Sequence, residues 1–272
     1  MPNRQMRILF IGDVVGRYGR RFLRDAMPLI KQRLRPDLVV ANGENLAGGI
    51  GINKKTAEEI FYAGVHMLTT GNHVWDKKEA LDLLKLDERI IRPLNYPASN
   101  PGKGYGHFEL ENGIQGVVVN IQGRVFMEPV VDNPFIEIDR FLKTNERPIV
   151  MVDFHAEASA EKQAMGYFLD GRVSALLGTH THVPTADLRI LPKGTAFQTD
   201  VGMTGALNSV IGMKKEPIIT KFLTGINQRF EVERDDLIMD MSVIDVRESD
   251  GRALEVQRLR LVESQFEQQL KA

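Results

Sequence analysis

The chain has 272 residues, 43% of them hydrophobic, enough to bury one large core, and it reads as a single domain spanning residues 1–272. With 35 basic and 36 acidic residues the formal net charge is −1, so no global field favours nucleic acid or an anionic membrane surface. Cysteine is absent, which excludes disulfides, thiolate metal sites and cysteine nucleophiles and suits a cytoplasmic protein.

In chain order, the first buried strand is expected in "RILFIGD", an apolar run too short for a signal peptide or a membrane span. A helix from about Tyr18 to Arg33 follows, then the strand "DLVVANGEN", a helix from about Lys54 to Ala63 and the strand "VHMLTTGNH". Asp76 and Glu79 read as an N-cap and capping-box pair opening the helix "KKEALDLLK". The stretch "HFELENGIQGVVVNIQG" predicts two strands turning at Asn112-Gly113. In "PFIEIDRFLK", Asn133 and Pro134 take the cap and first-turn positions of a helix. The strand "PIVMVDFHAEA", a helix near Glu161 to Leu169 and the strand "VSALLGTHTHV" repeat the alternation. The chain then turns to β, with "ADLRIL", "TAFQTD" and a late pair, "DLIMDMSVIDV" and "ALEVQRLRLV", joined by Ser249-Asp250-Gly251. This order predicts an α/β fold whose two halves close onto a mixed β sandwich with helices outside.

Five polar clusters each sit just after an apolar strand run: Asp13, Glu44-Asn45, Asn72-His73, His155, and His180 with His182. Ligands of open α/β sheets bind beyond the carboxyl ends of the strands, so these clusters can meet at one edge. Together they offer carboxylate, carboxamide and imidazole donors, an N/O set with room for two first-row divalent metals bridged by a carboxylate. Each also has a plainer reading. His180 and His182 could be local polar packing, Asp13 an N-cap for the helix after it, Glu44-Asn45 turn residues, Asn72 a left-handed turn residue and His155 a satisfied buried histidine. The recurrence after five strands favours one shared site.

Other motifs carry less. "GGIGINKKT" lacks the glycine a P-loop needs before its lysine, and "GKGYGH" does not sit between a strand and a helix as a dinucleotide fingerprint would. His66 and His107 read as structural, Trp75 as a pocket wall or core residue, and Arg20, Arg21 and Arg24 as a solvated helix face.

The clusters resemble, in order, the motifs of the calcineurin-like metallophosphoesterases: D-x-H, G-D, G-N-H-D/E, an isolated histidine and G-H-x-H. Here they read Gly12-Asp13-Val14-Val15, Gly43-Glu44-Asn45, Gly71-Asn72-His73-Val74, Phe154-His155-Ala156 and Gly178-Thr179-His180-Thr181-His182. The D-x-H histidine is missing, glutamate replaces the usual aspartate of the second motif, and Val74 replaces the acid after Asn-His. With "NGEN", "TGNHVWD", "DFHAE", "GTHTHVPTAD" and "TDVGMTG", these departures are similar to the YmdB-like bacterial branch.

That resemblance implies a layered αββα sandwich of two mixed β-sheets flanked by helices, and a two-metal phosphodiesterase acting on small cyclic nucleotides, notably 2′,3′-cyclic nucleoside monophosphates, with iron or manganese. Carried over by motif, Asp13 and His182 hold one metal, Asn72, His155 and His180 the other, and Glu44 bridges. Asn45 fills the place of the missing histidine, and His73 stays unliganded as general acid. Two divalent cations less two carboxylates and a hydroxide leave about one positive charge in a low-dielectric cleft, enough to neutralise a phosphodiester on a nearly neutral protein. The same metal centre would also serve a phosphomonoesterase or nuclease, and a regulatory metal-binding module is the rival from another class. Neither a membrane nor an extended nucleic-acid surface is indicated as a partner, and homo-oligomerisation stays open.

Overall fold

The computed structural model describes residues 4–270. The first half runs β1 (Gln5–Ile11), β2 (Asp13–Val14), α1 (Gly16–Leu34), β3 (Leu38–Asn42), α2 (Lys54–Ala63), β4 (Met67–Thr69), α3 (Ala80–Leu86), β5 (Tyr105–Glu109) and β6 (Gln115–Gln122). The second runs α4 (Pro134–Thr144), β7 (Ile149–His155), α5 (Ser159–Leu169), β8 (Ala175–Thr179), β9 (Arg189–Ile190), β10 (Ala196–Gln198), β11 (Met203–Ala206), α6 (Lys215–Thr224), β12 (Leu237–Arg247), β13 (Ala253–Val262) and α7 (Phe266–Gln269). One sheet has the order β2-β11-β12-β1-β3-β4, with β13 paired to β12, and the other has the order β5-β6-β7-β8-β10-β9.

The period of two in each strand explains the layers. In β1, Leu9 and Ile11 pack against α1 residues such as Phe22, Leu23 and Met27, while Met6, Ile8 and Phe10 face the second sheet. In β6 and β7, Val117, Val119, Ile121, Val150, Val152 and Phe154 pack against Ile138 of α4 and Met165 and Leu169 of α5. Val118 and Met151, on the opposite faces of those strands, join the layer between the sheets. Helix, sheet, sheet and helix therefore stack as αββα, as the sequence resemblance implied.

The strands that carry the polar clusters run parallel: β1 beside β3 and β3 beside β4 in one sheet, and β6, β7, β8 and β10 in the other. Their carboxyl ends come to a common edge. The inter-sheet layer changes character there, because the inward positions that begin as Leu38 and Val40, or Ile149 and Met151, continue as Asn42 or as Asp153 and His155.

Most expected elements form, including the hairpin at Asn112-Gly113, where Gly113 has φ of 83°, and the Asn133 cap, whose side chain accepts from Phe135 N. Three readings are corrected. Asp76 is no helix cap: α3 starts at Ala80 behind Glu79, which makes no side-chain cap bond, and Asp76 binds His73 instead. Asp13 does not cap α1 either, because Val15 holds the N-cap position. Arg20 is not solvated; its guanidinium pairs with Glu59 at 2.8 Å and donates to Leu46 O. Strands β2 and β11 and helices α6 and α7 carried no sequence signal that the alternation could register. No helix among the described residues is long and apolar enough to cross a membrane.

Close backbone approach at the site edge demands glycine. A Cβ on Gly178 would lie 1.8 Å from Thr199 O, and one on Gly12 would lie 2.1 Å from Gly202 O. Gly178→Ala should therefore destabilise the protein by about 1–3 kcal/mol or more, since backbone rather than a flexible side chain must move. Gly113→Ala meets no atom within 4 Å and adds only turn strain, about 1 kcal/mol. Urea midpoints of the two variants should fall in that order.

Candidate metal centre

The site is built where five strands end. Asp13 forms the short β2 immediately after β1, and Glu44 and Asn45 lie in the turn after β3. Asn72 and His73 follow β4, His155 closes β7, and His180 and His182 follow β8. His180 and His182 have φ of 102° and 63°, a backbone region costly for any residue with a Cβ and tolerated where surrounding bonds enforce it.

The structure brings together the residues that the sequence singled out. Nε2 of His155 lies 3.1 Å from Glu44 Oε1, 3.0 Å from Asn72 Oδ1 and 3.1 Å from His180 Nδ1. Ligand atoms of Glu44, His155 and His180 all fall within 4.8 Å of one another. Beside them, His182 Nε2 lies 3.7 Å from Asp13 Oδ1 and 3.1 Å from Asn45 Nδ2, and Asn45 Nδ2 also donates to Glu44 Oε1 at 3.4 Å. Glu44 thus touches both groups. Its second oxygen accepts the backbone N–H of His73 at 3.1 Å. His73 keeps its ring outside the cluster, with Nδ1 2.6 Å from Asp76 Oδ2. His66 and His107 stand apart: His66 Nδ1 accepts from Val39 N, and His107 lies in β5. Trp75 packs partly on the core and edge-on to Tyr96.

Three features fit cations among these donors. First, each histidine has its outward nitrogen next to an acceptor: His182 Nδ1 is 2.9 Å from Ile211 O, His155 Nδ1 is 2.9 Å from Thr179 Oγ1, and His180 Nε2 is 3.2 Å from Glu157 Oε2. A proton held outward leaves the inward nitrogen a lone pair, the arrangement that orients imidazole ligands. Second, Asp13 Oδ1 is buried with no hydrogen-bond partner among the described residues, an arrangement that a cation would relieve. Third, a Cβ on Gly71 would sit 2.3 Å from His155 Nε2 and 2.4 Å from Glu44 Oε2, so the wall of the cradle has no room for a side chain.

Burial and mutual contact shift the ionisation of these donors, Glu44 and His180 toward the ligating form and His155 and Asp13 away from it. Burial raises the Glu44 carboxyl, but the neighbouring His155 more than offsets this and holds it well below the usual range. Burial lowers His155, and Glu44 more than reverses that shift. His180, desolvated and facing His155, is pushed down to about 3 and so stays neutral, the form that ligates. Burial raises Asp13.

The layer that holds these side chains carried no conspicuous signal in the sequence. Thr179 Oγ1 passes the His155 contact on by donating to Asp153 Oδ1 at 2.6 Å. Asp153 Oδ2 accepts from Asn42 Nδ2 at 3.0 Å and from Thr69 Oγ1. Asp153 lies two positions before His155 on the same strand face, a period-two signal hidden inside an apolar run. Lys162 sits on the apolar stripe of α5 with Met165, Gly166 and Leu169, where a lysine is out of place.

A family model described as "YmdB-like protein" matches residues 9–259. The chain is 43% identical over 256 residues to the "2′,3′-cyclic-nucleotide 2′-phosphodiesterase" of Bacillus subtilis (strain 168), covering 93% of this chain and 96% of that protein. Among solved structures, a protein of Thermus thermophilus matches with a TM-score of 0.89 and 44% identity, over 94% of this chain and 99% of that one. A phosphatase of Mycoplasma pneumoniae matches with a TM-score of 0.91 and 34% identity, over 96% of this chain and 94% of that one. Fold, donor set and relatives define a metal-dependent phosphoester hydrolase. The chain belongs to the YmdB-like branch of the metallophosphoesterases.

The Thr179 hydroxyl should matter to metal affinity through the His155 ring that it contacts. Thr179→Val keeps the shape and removes the acceptor for His155 Nδ1, so binding of a divalent ion should weaken about 10–100-fold. Calorimetric titration with Mn²⁺ after chelator treatment measures this, and wild-type affinity would show that the hydroxyl does not fix the ring.

Proposed function

We propose that this chain is a two-metal phosphodiesterase that opens small cyclic nucleotides, 2′,3′-cyclic nucleoside monophosphates foremost, with iron or manganese as the metal. The observation that carries the reading is the carboxylate of Glu44, buried between two donor groups, one made by His155, His180 and Asn72 and the other by Asp13, His182 and Asn45. Both sheets contribute to those groups, so residues 1–272 act as one catalytic unit. The cyclic-nucleotide substrate is favoured by the name of the 43% identical relative.

In this reading Asp13, Asn45 and His182 hold one ion, Asn72, His155 and His180 the other, and Glu44 bridges. Asn45 presents its Nδ2 to His182 and Glu44, and turning the amide over brings its oxygen to the same place. When bound, the two cations would offset the phosphodiester charge and acidify the attacking water. The remaining work belongs to side chains. Asp76 accepts from His73 Nδ1 and orients the ring, which leaves Nε2 to deliver a proton to the departing ribose oxygen. The hydrogen bond that the His73 backbone N–H donates to Glu44 Oε2 sets the distance of this acid from the bridge.

Two experiments test the reading. Glu44→Gln should lower the content of both ions, while Asp13→Asn should chiefly lower one; equal single-ion losses would remove Glu44 from the bridge. His73→Ala should keep both ions yet lose about 10²- to 10⁴-fold in turnover of a 2′,3′-cyclic nucleotide. Hydrolysis of a p-nitrophenyl phosphodiester, whose leaving group hardly needs a proton, should survive far better. Equal loss on both substrates would make His73 a substrate-orienting group, and loss of an ion would make it a ligand.

A further inference from the structure

The fully buried Lys162 of α5 is used by none of the chemistry above. Its Nζ donates to Thr179 O at 2.7 Å and to Asp200 Oδ2 at 2.7 Å. Asp200, also buried, accepts the Thr181 N–H at 3.1 Å through Oδ2 and the Gly202 N–H at 2.9 Å through Oδ1. The ammonium therefore grips the carbonyl just before His180, and its partner carboxylate grips the amide between His180 and His182. These two histidines are the ones held in left-handed backbone. Such a conformation relaxes unless neighbouring bonds over-determine it, and these bonds do so together with the His180 N–H donated to Asp13 Oδ2 at 3.2 Å.

We propose that Lys162 and Asp200 form a positioning pair that fixes His180 and His182 together and so sets the affinity of both metal positions at once. The proposal rests on the two-metal reading. A pair that served stability alone would have no reason to bond the backbone on both sides of His180. A buried ion pair is moreover a poor source of stability, because apolar replacements of similar volume are often no worse. Glu157 gives the contrast: half-exposed, it contacts the His180 ring and so bears on one position only.

The test is Mn²⁺ titration of chelator-treated full-length protein, followed by calorimetry and by electron paramagnetic resonance, which distinguishes isolated from coupled ions. Lys162→Met should weaken both ions about 10–100-fold, whereas Glu157→Ala should weaken one. Because Lys162→Met also strands the Asp200 charge, the double variant Lys162→Met/Asp200→Asn carries the decision. It removes the unpaired charge and should regain most of the urea midpoint, yet it stays weak for both ions. The amide offers one acceptor oxygen in place of two, and Thr179 O has lost its short bond to the ammonium and keeps only the Ala156 N–H at 3.4 Å. Wild-type affinity in the stabilised double variant, or a loss confined to one ion, would overturn the proposal. A wild-type protein binding a single ion would end the two-metal reading instead, and the positioning role would then stand or fall on the ratio of variant to wild-type affinity for that ion.

Discussion

Asp153 lies fully buried where β3 and β4 of one sheet face β7 and β8 of the other, and its carboxylate accepts from Asn42 and Thr69 across that gap and from Thr179 on the neighbouring strand of its own sheet. Burying a carboxylate costs several kcal/mol, which shows here in a carboxyl raised by desolvation to about 6. Hydrogen bonds to a charged group return about 1.5–3 kcal/mol each, so three donors offset the cost without a large surplus. The gain is in registration. Apolar surfaces slide over one another at little cost, whereas only one placement of the two sheets gives this carboxylate all its donors. Glu44 and Asn45 come from one sheet and His155, His180 and His182 from the other, so that registration is a condition for the two sets to meet.

The alternation of strand and helix, the hairpin glycine and the Asn133-Pro134 helix start could be read from the chain because each is a local preference with a short-range cause. The convergence of the site residues was legible for a related reason: polar residues that end an apolar strand are conspicuous, and parallel strands carry their ends to one edge. What supports these side chains was not legible. Asp153 and Thr179 alternate with apolar residues of the same strands, and Lys162 interrupts a helix stripe; each looks like a lapse in pattern until its partner in another element is known. Asp76 misled for another reason, since one local pattern was outcompeted by another: its carboxylate pairs with the ring of His73, three residues earlier, at 2.6 Å instead of capping a helix.

The departures from the superfamily motifs become coherent once burial is considered. Val15, near the place of the missing D-x-H histidine, is fully buried and packs with Met203 and Ile238, so an imidazole there would displace core rather than reach the cleft. The side chain that does reach is Asn45, from the turn after the neighbouring β3, within 3.1 Å of His182 Nε2. Val74 is likewise fully buried, in the layer between α1 and the first sheet, and the nearest acid to the His73 ring is Asp76, two residues on. In both cases the backbone carries an apolar residue inward at the motif position while a polar one nearby, from the neighbouring turn for Asn45 and two residues on for Asp76, supplies the contact. A donor set can therefore be kept while its motif is lost, because the site is defined by where strand ends converge and not by which of them provides each atom.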